Sequence, residues 1–291
     1  MRFSLDMLNA ADRVKFVATL GSIFEHSPWV AERAHARAPF ATVTALFDAM
    51  TGAVGNASRD EKLALVRNHP DLAGKAARAA TLTAASQAEQ ASLGLDRLPD
   101  AEFARFERLN KAYKDKFGFP FVICVKRQTR DAILDSFERR LGNDADTELS
   151  AALAEISLIA RLRLAEMVEG AGMPKTEGML TTHVLDTHSG LPAAGVMVEL
   201  FELGAKSPLV KTKTNTDGRT DAPLMSGGPL RIGRYELRFH VGDYFAGRNL
   251  GLPQPAFLDV VPVRFAISEP EGHYHVPLLV SPWSYATYRG S

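Results

Sequence analysis

The hydrophobic rhythm of this chain changes once along its length. Up to about Val168 the apolar residues recur at three- and four-residue steps. Beyond Gly178 they come in short runs with partial alternation. A period near 3.6 buries one face of a helix, and a period of two buries one face of a strand. Helices and strands segregated in this way point to two domains. In the first part, Phe103, Phe106, Leu109, Tyr113 and Phe117 make a helical stripe that Asp100 is placed to cap. Asn9 is placed to cap an earlier helix carrying Val14, Val17, Ile23 and Phe24, and a further helix runs from about Asp146 to Val168. In the second part, "GVMVELFEL", "RYELRFHV", "LDVVPVRFAI" and "YHVPLLVS" read as strands. Turn signals fall at His188-Ser189-Gly190, Asp217-Gly218, Gly227-Gly228 and Pro270-Glu271-Gly272. The junction "EGAGMPKTEG" has no period. The expectation is an all-α helical bundle over residues 1–169, a linker over 170–179 and an all-β antiparallel sandwich over 180–291.

Composition narrows the partners. Lys plus Arg and Asp plus Glu number 34 each, so nothing favours a polyanion such as nucleic acid. No run of about 18 apolar residues is present, so no membrane span is expected. The single Cys124 cannot form a disulfide within the chain, which fits a reducing compartment. The N-terminal stretch carries Asp6 and Asp12 and does not read as a signal peptide. A cytoplasmic protein acting on small molecules is the expectation.

Three polar clusters mark the strand-rich half: Thr182-His183-Val184-Leu185-Asp186, Asn215-Thr216-Asp217-Gly218-Arg219, and a tail holding His273-Tyr274-His275 and the closing Tyr288-Arg289-Gly290-Ser291. In "HYH" the two histidines share one face of a strand. Such a pair also suits a metal if a third histidine joins it. The segments "HVLDTHSGLPAAGVMVELFEL", "TNTDGR", "GRYELRF" and "YHVPLLVSPWSYATYRGS", taken in order, resemble 5-hydroxyisourate hydrolase, the enzymatic branch of the transthyretin-like family. That resemblance implies that His183, Arg219 and His275 are catalytic and that Tyr288, Arg289, Gly290 and Ser291 hold substrate. It also implies no metal and no cofactor, and a homotetramer with sites at a subunit interface. The residue types suit the chemistry. Opening a lactam-like ring with water needs a base near neutrality, a cation for the oxyanion and orienting donors.

The helical half has its own constellation. Ser86, Glu89 and Gln90 lie three and four apart on one helical face, although Ser-x-x-Glu is equally a capping box. His69 precedes Pro70, which biases its backbone toward a turn. On the last helix Arg163 falls within the inward stripe of Leu149, Leu153, Ile156, Ala160 and Met167, while Arg161 lies round the side. A core-facing arginine needs an anion, either a substrate carboxylate or an internal Asp or Glu. The segments "FEHSPWVAERA", "NHPDLAGK", "SQAEQASLGL", "FERLNKAYKDKFGFPFVICVK" and "EISLIARLRLAEMV" resemble the decarboxylase of 2-oxo-4-hydroxy-4-carboxy-5-ureidoimidazoline (OHCU). This resemblance implies proton transfer by His69 and Glu89. It implies substrate binding by Pro70, Ser86, Gln90, Arg163 and the backbone around Phe119 to Ile123.

Together the two resemblances imply successive reactions, 5-hydroxyisourate to OHCU and OHCU to (S)-allantoin. The alternatives are a chain with one active domain and one scaffold, or a carrier of the transthyretin type.

Overall fold

A computed structural model describes residues 2–79 and 81–290. The chain divides into two compact units, Met1–Thr176 and Glu177–Ser291.

In the first unit, short polar side chains set where helices begin. Asp12 caps Arg13–Leu20, Thr42 caps Val43–Gly55, Thr129 caps Arg130–Arg140 and Asp144 caps Ala145–Met167, each accepting from a backbone N–H of the first turn. Ser58 and Glu61 complete a capping box at Arg59–Arg67. Two caps expected from sequence are corrected. Asn9 ends a short helix, Leu5–Asn9, and its amide instead pairs with the backbone N–H and C=O of Phe40. Asp100 is the first residue of Asp100–Phe117, and Pro99 takes the cap position. The core gathers Phe16, Phe24, Leu46, Phe106, Tyr113, Phe121, Phe137 and Ile156.

This unit is not a strict all-α bundle. Phe3–Ser4 pairs in parallel with Val168–Glu169. The last helix ends as Val168 turns extended, which frees its backbone groups to pair with the first strand. Ala171 and Gly172, expected in the linker, place their carbonyls on the N–H groups of Val43 and Thr44, the first orphan donors of that helix.

In the second unit, Val260–Ile267, Gly233–His240, Met197–Glu202 and Val210–Lys213 form an antiparallel sheet in that order. Facing it across a core of Leu180, Val184, Val198, Leu237, Phe239, Leu278 and Val280 are two further sheets. These are mixed. His273–His275 runs parallel to Gly178–Thr181, and Leu278–Ser281 runs parallel to Val184–Asp186. A helix, Val241–Ala246, interrupts the strands. The expectation of a wholly antiparallel sandwich is therefore corrected, while the domain is built of β-sheets as expected. Partial alternation reports burial on one face and carries no information about strand direction. Gly227 and Gly228 belong to the strand Met225–Gly228, where a turn was expected.

Candidate active sites

In the helical unit a small cavity is lined by His69, Pro70, Ser86, Glu89, Gln90, Ile123 and Arg163. These come from a loop, a helix, a second loop and the last helix, so the fold brings together all but one of the residues that the sequence reading assigned to this half. The exception is Phe119. Its ring packs against Tyr113 and Phe117 in the core, and the wall is made instead by Phe121, Val122 and Ile123.

The helix Ala84–Ala91 is capped by Thr83, which leaves Ser86 free of capping duty. Ser86 and Glu89 both turn to Arg163. The guanidinium grips Glu89 with two bonds, Nε to Oε1 at 2.8 Å and Nη2 to Oε2 at 2.9 Å. Nη1 donates to Glu25 Oε2 at 2.8 Å and to the Ile23 carbonyl at 3.5 Å, and Nη2 also donates to Ser86 Oγ at 3.3 Å. Every N–H of Arg163 is thereby engaged. The internal-acid alternative left open by the sequence is realised twice over. Glu25 is the residue that sequence reasoning missed. It is 3% exposed and accepts from Thr83, Ser86 and Arg163. Burial opposes its charge, but hydrogen bonds from Thr83, Arg163 and Ser86 outweigh it and hold its carboxyl below the ordinary range. Burial likewise opposes the charge of Arg163, and Glu89 and then Glu25 outweigh it, keeping the arginine charged. One cation between two carboxylates leaves the cluster with a formal charge of −1.

His69 is 8% exposed. Burial, the largest effect, lowers its pKa to about 4, against a raising contribution from the Leu65 carbonyl. Its Nδ1 lies 3.1 Å from that carbonyl. A carbonyl only accepts, so Nδ1 carries the hydrogen and Nε2 keeps its lone pair. Gln90 serves the loop that carries His69. Its Oε1 accepts from Ala73 N at 2.8 Å and its Nε2 donates to Asp71 O at 3.2 Å, supporting Ala73 at a φ of +52°.

In the β unit, four segments converge. His183 forms an isolated bridge with Arg219, and His275 forms another with Gly290. Gly218 has a φ of +70°, and a Cβ there would lie 2.4 Å from the Val184 carbonyl, so only glycine lets the Arg219 turn close on His183. A Cβ on Gly290 would lie 2.7 Å from Cδ2 of His275, so the tail too needs glycine where it crosses the histidine. Burial and then the Arg219 guanidinium lower the pKa of both His183 and His275. His183 Nε2 is buried without a hydrogen-bond partner among the described residues. Two neutral imidazoles beside a cation form a set able to take a proton from water and to meet an oxyanion. His273 and His275 do share a face, and Tyr274 between them is buried. Tyr288 is 58% exposed. Arg289 is occupied elsewhere: its guanidinium lies 4.7 Å over the Tyr274 ring and 3.7 Å from Glu269. Ser291 lies outside the described residues. Among the described residues, no group of three or more His, Cys, Asp or Glu is arranged to hold a metal ion.

Comparison with known proteins agrees with this division. A family model described as OHCU decarboxylase matches residues 9–165, and one described as HIUase/Transthyretin family matches residues 180–290. A Haloferax volcanii protein named 2-oxo-4-hydroxy-4-carboxy-5-ureidoimidazoline decarboxylase is 47% identical over 163 residues, covering 56% of this chain and 95% of that one. A Ralstonia nicotianae protein named 5-hydroxyisourate hydrolase is 53% identical over 116 residues, covering 39% of this chain and 99% of that one. The chain belongs to both families. It is a fusion of an OHCU decarboxylase-family domain and an HIUase/transthyretin-family domain. A crystal structure of (S)-allantoin synthase matches the fusion end to end, at 36% identity, a TM-score of 0.55 and coverage of 99% of this chain and 100% of that one. The first family's match contains the Glu25–Arg163–Glu89 cluster and His69, and the second's contains His183, Arg219, His275 and Gly290. No helix among the described residues is long and apolar enough to cross a membrane.

Proposed function

We propose that the chain is a bifunctional enzyme of urate degradation. Its HIUase/transthyretin-family domain hydrolyses 5-hydroxyisourate to OHCU, and its OHCU decarboxylase-family domain converts OHCU to (S)-allantoin. The observation that carries this reading is the pair of sites in one chain. One is a buried, neutral His69 beside a cation with its own counter-ions. The other is an open His183–Arg219–His275 group crossed by the tail.

In the hydrolase, a neutral histidine takes a proton from the attacking water, and Arg219 meets the charge that develops on the carbonyl oxygen. In the decarboxylase, the substrate carboxylate takes the place of Glu89 on Arg163 while Glu25 stays as the resident counter-ion. Loss of CO2 leaves an electron pair that the adjacent imine and carbonyl of the ring accept, so the reading calls for no cofactor. His69 Nε2, with the freed Glu89, moves the protons, and the fixed orientation of Arg163 sets the face on which they arrive. We place the enzyme in the cytoplasm, in keeping with its single, buried Cys124. We further propose a homotetramer formed through the β domain. Exposed Trp283, Tyr285 and Tyr288 on the tail beside an open site support it.

The test is a coupled assay. 5-Hydroxyisourate is generated with urate oxidase and followed by ultraviolet absorbance and circular dichroism. Wild type is expected to give optically active allantoin rapidly. His275→Ala is expected to stall before OHCU, and His69→Ala to let OHCU accumulate, with a loss of about 100-fold or more in the affected step. A wild type that only matches spontaneous racemic decay overturns the reading.

A further inference from the structure

A hydroxyl lies between the two histidines of the strand His273–His275. Thr181 Oγ1 is 2.9 Å from His275 Nδ1 and 3.1 Å from His273 Nε2. Two parallel strands bring them together, with His275 in register with Thr181 and His273 with Met179. A threonine hydroxyl has one hydrogen to give, so it cannot donate to both rings. It donates to one and accepts from the other, and this couples their tautomers. With the hydrogen on His275 Nδ1, the hydroxyl points at His273 Nε2. With the lone pair there instead, the hydroxyl points back at His275 and His273 donates. His275 is half-buried, whereas His273 is exposed.

We propose that Thr181 and His273 form a proton exit from His275 to solvent. The inference rests on the hydrolase reading above, whose chemistry requires such an exit. Opening a cyclic amide yields a carboxylate and a urea-type N–H that is not basic. Water adds to the carbonyl carbon, the ring C–N bond breaks, and its electron pair stays on nitrogen. Of the two hydrogens of the water, one ends on that nitrogen and the other must leave. His275 Nε2 takes the departing proton, Nδ1–H passes to Thr181 Oγ1, and the hydrogen of Thr181 passes to His273 Nε2. His273 then loses a proton to water or buffer. His275 is a poor place for the charge to stay, because burial, Arg219, His183 and His273 all disfavour its protonated form. Thr181 and His273 are positioning and relay residues in this scheme, since neither needs to touch the substrate.

The test uses the full chain with Thr181→Val, Thr181→Ser and His273→Ala, following initial rates of 5-hydroxyisourate consumption at low buffer concentration and again with added imidazole. Thr181→Val and His273→Ala are expected to lose roughly tenfold in kcat at low buffer, with KM unchanged. Imidazole is expected to restore most of the loss, and Thr181→Ser to stay near wild type. No loss, or a loss indifferent to imidazole, overturns the relay. His273 is exposed, so its variant reports even if Thr181→Val fails to fold. A wild type that leaves 5-hydroxyisourate to spontaneous decay overturns the hydrolase reading, and the relay with it.

Discussion

His69 in the helical domain and His275 in the β domain are both held below the ordinary histidine range, in different surroundings. His69 is closed in, and the cation of its cavity, Arg163, is held by Glu25 and Glu89. His275 is half-open, and the cation beside it, Arg219, is exposed and has no ion pair among the described residues. The difference follows from burial. A guanidinium taken out of water must bring its own anions, whereas one at the surface is stabilised by solvent and stays available. A closed site therefore ties catalysis to the stability of its domain, and an open one separates them.

The largest expected effect tests that separation directly. Arg163→Leu leaves the buried Glu25 and the half-buried Glu89 without their shared cation and should cost the helical domain ~3–5 kcal/mol as well as its decarboxylase activity. Arg219→Leu should abolish hydrolysis yet stay within about 0.5 kcal/mol of wild type. Urea unfolding of the two variants checks this, and equal losses would break the comparison.

A smaller effect comes from pH. The unfolded chain protonates His69 near pH 6.5, while the folded one does so only at about 4. Between those values the unfolded state binds more protons, so stability falls as pH drops through that window, by up to about 3 kcal/mol, and this contribution is spent below it. Glu25, whose folded pKa is lowered from 4.5, adds its own loss as pH falls below the ordinary carboxylate range. Melting of wild type and His69→Asn between pH 7 and pH 4 should show a flatter slope for the variant. Identical slopes would mean that burial of His69 does not set its charge.

The smallest effect sharpens the other half of the comparison. Removing the Arg219 cation with Arg219→Leu should raise the pKa of both His183 and His275, because that cation disfavours their protonated forms, while Arg219→Lys should not. Histidine titration by NMR reads the shift directly. Unmoved values in Arg219→Leu would remove the cation as a cause and leave burial as the main one, as it is at His69.

Much of each site was legible in the sequence because its residues sit in dense local motifs. His69-Pro70, Ser86 to Gln90, the Asp217-Gly218-Arg219 turn and the histidine strand each occupy a few residues with little else to explain them. Arg163 was legible from helical geometry alone, since an inward-facing arginine announces an anion. What that anion is was not legible, because Glu25 lies 138 residues away from Arg163 in the chain and next to it in space. Thr181 escaped for the same reason, being 94 residues from His275. Phe119 lies outside the cavity because this loop passes from core to site along its length: the Phe119 ring packs against Tyr113 and Phe117, and the wall begins two residues later at Phe121.

The sequence by itself determined that there are two domains, which is helical and which is built of strands, and which side chains are candidates for chemistry. Periodicity and local motifs are short-range properties that survive in one dimension. Only the tertiary structure decided that two strand pairs run parallel, that Glu25 holds Arg163, and that a threonine hydroxyl links His275 to an exposed partner. Each of these is a pairing between distant segments, settled by which buried polar groups must find one another once the core has closed.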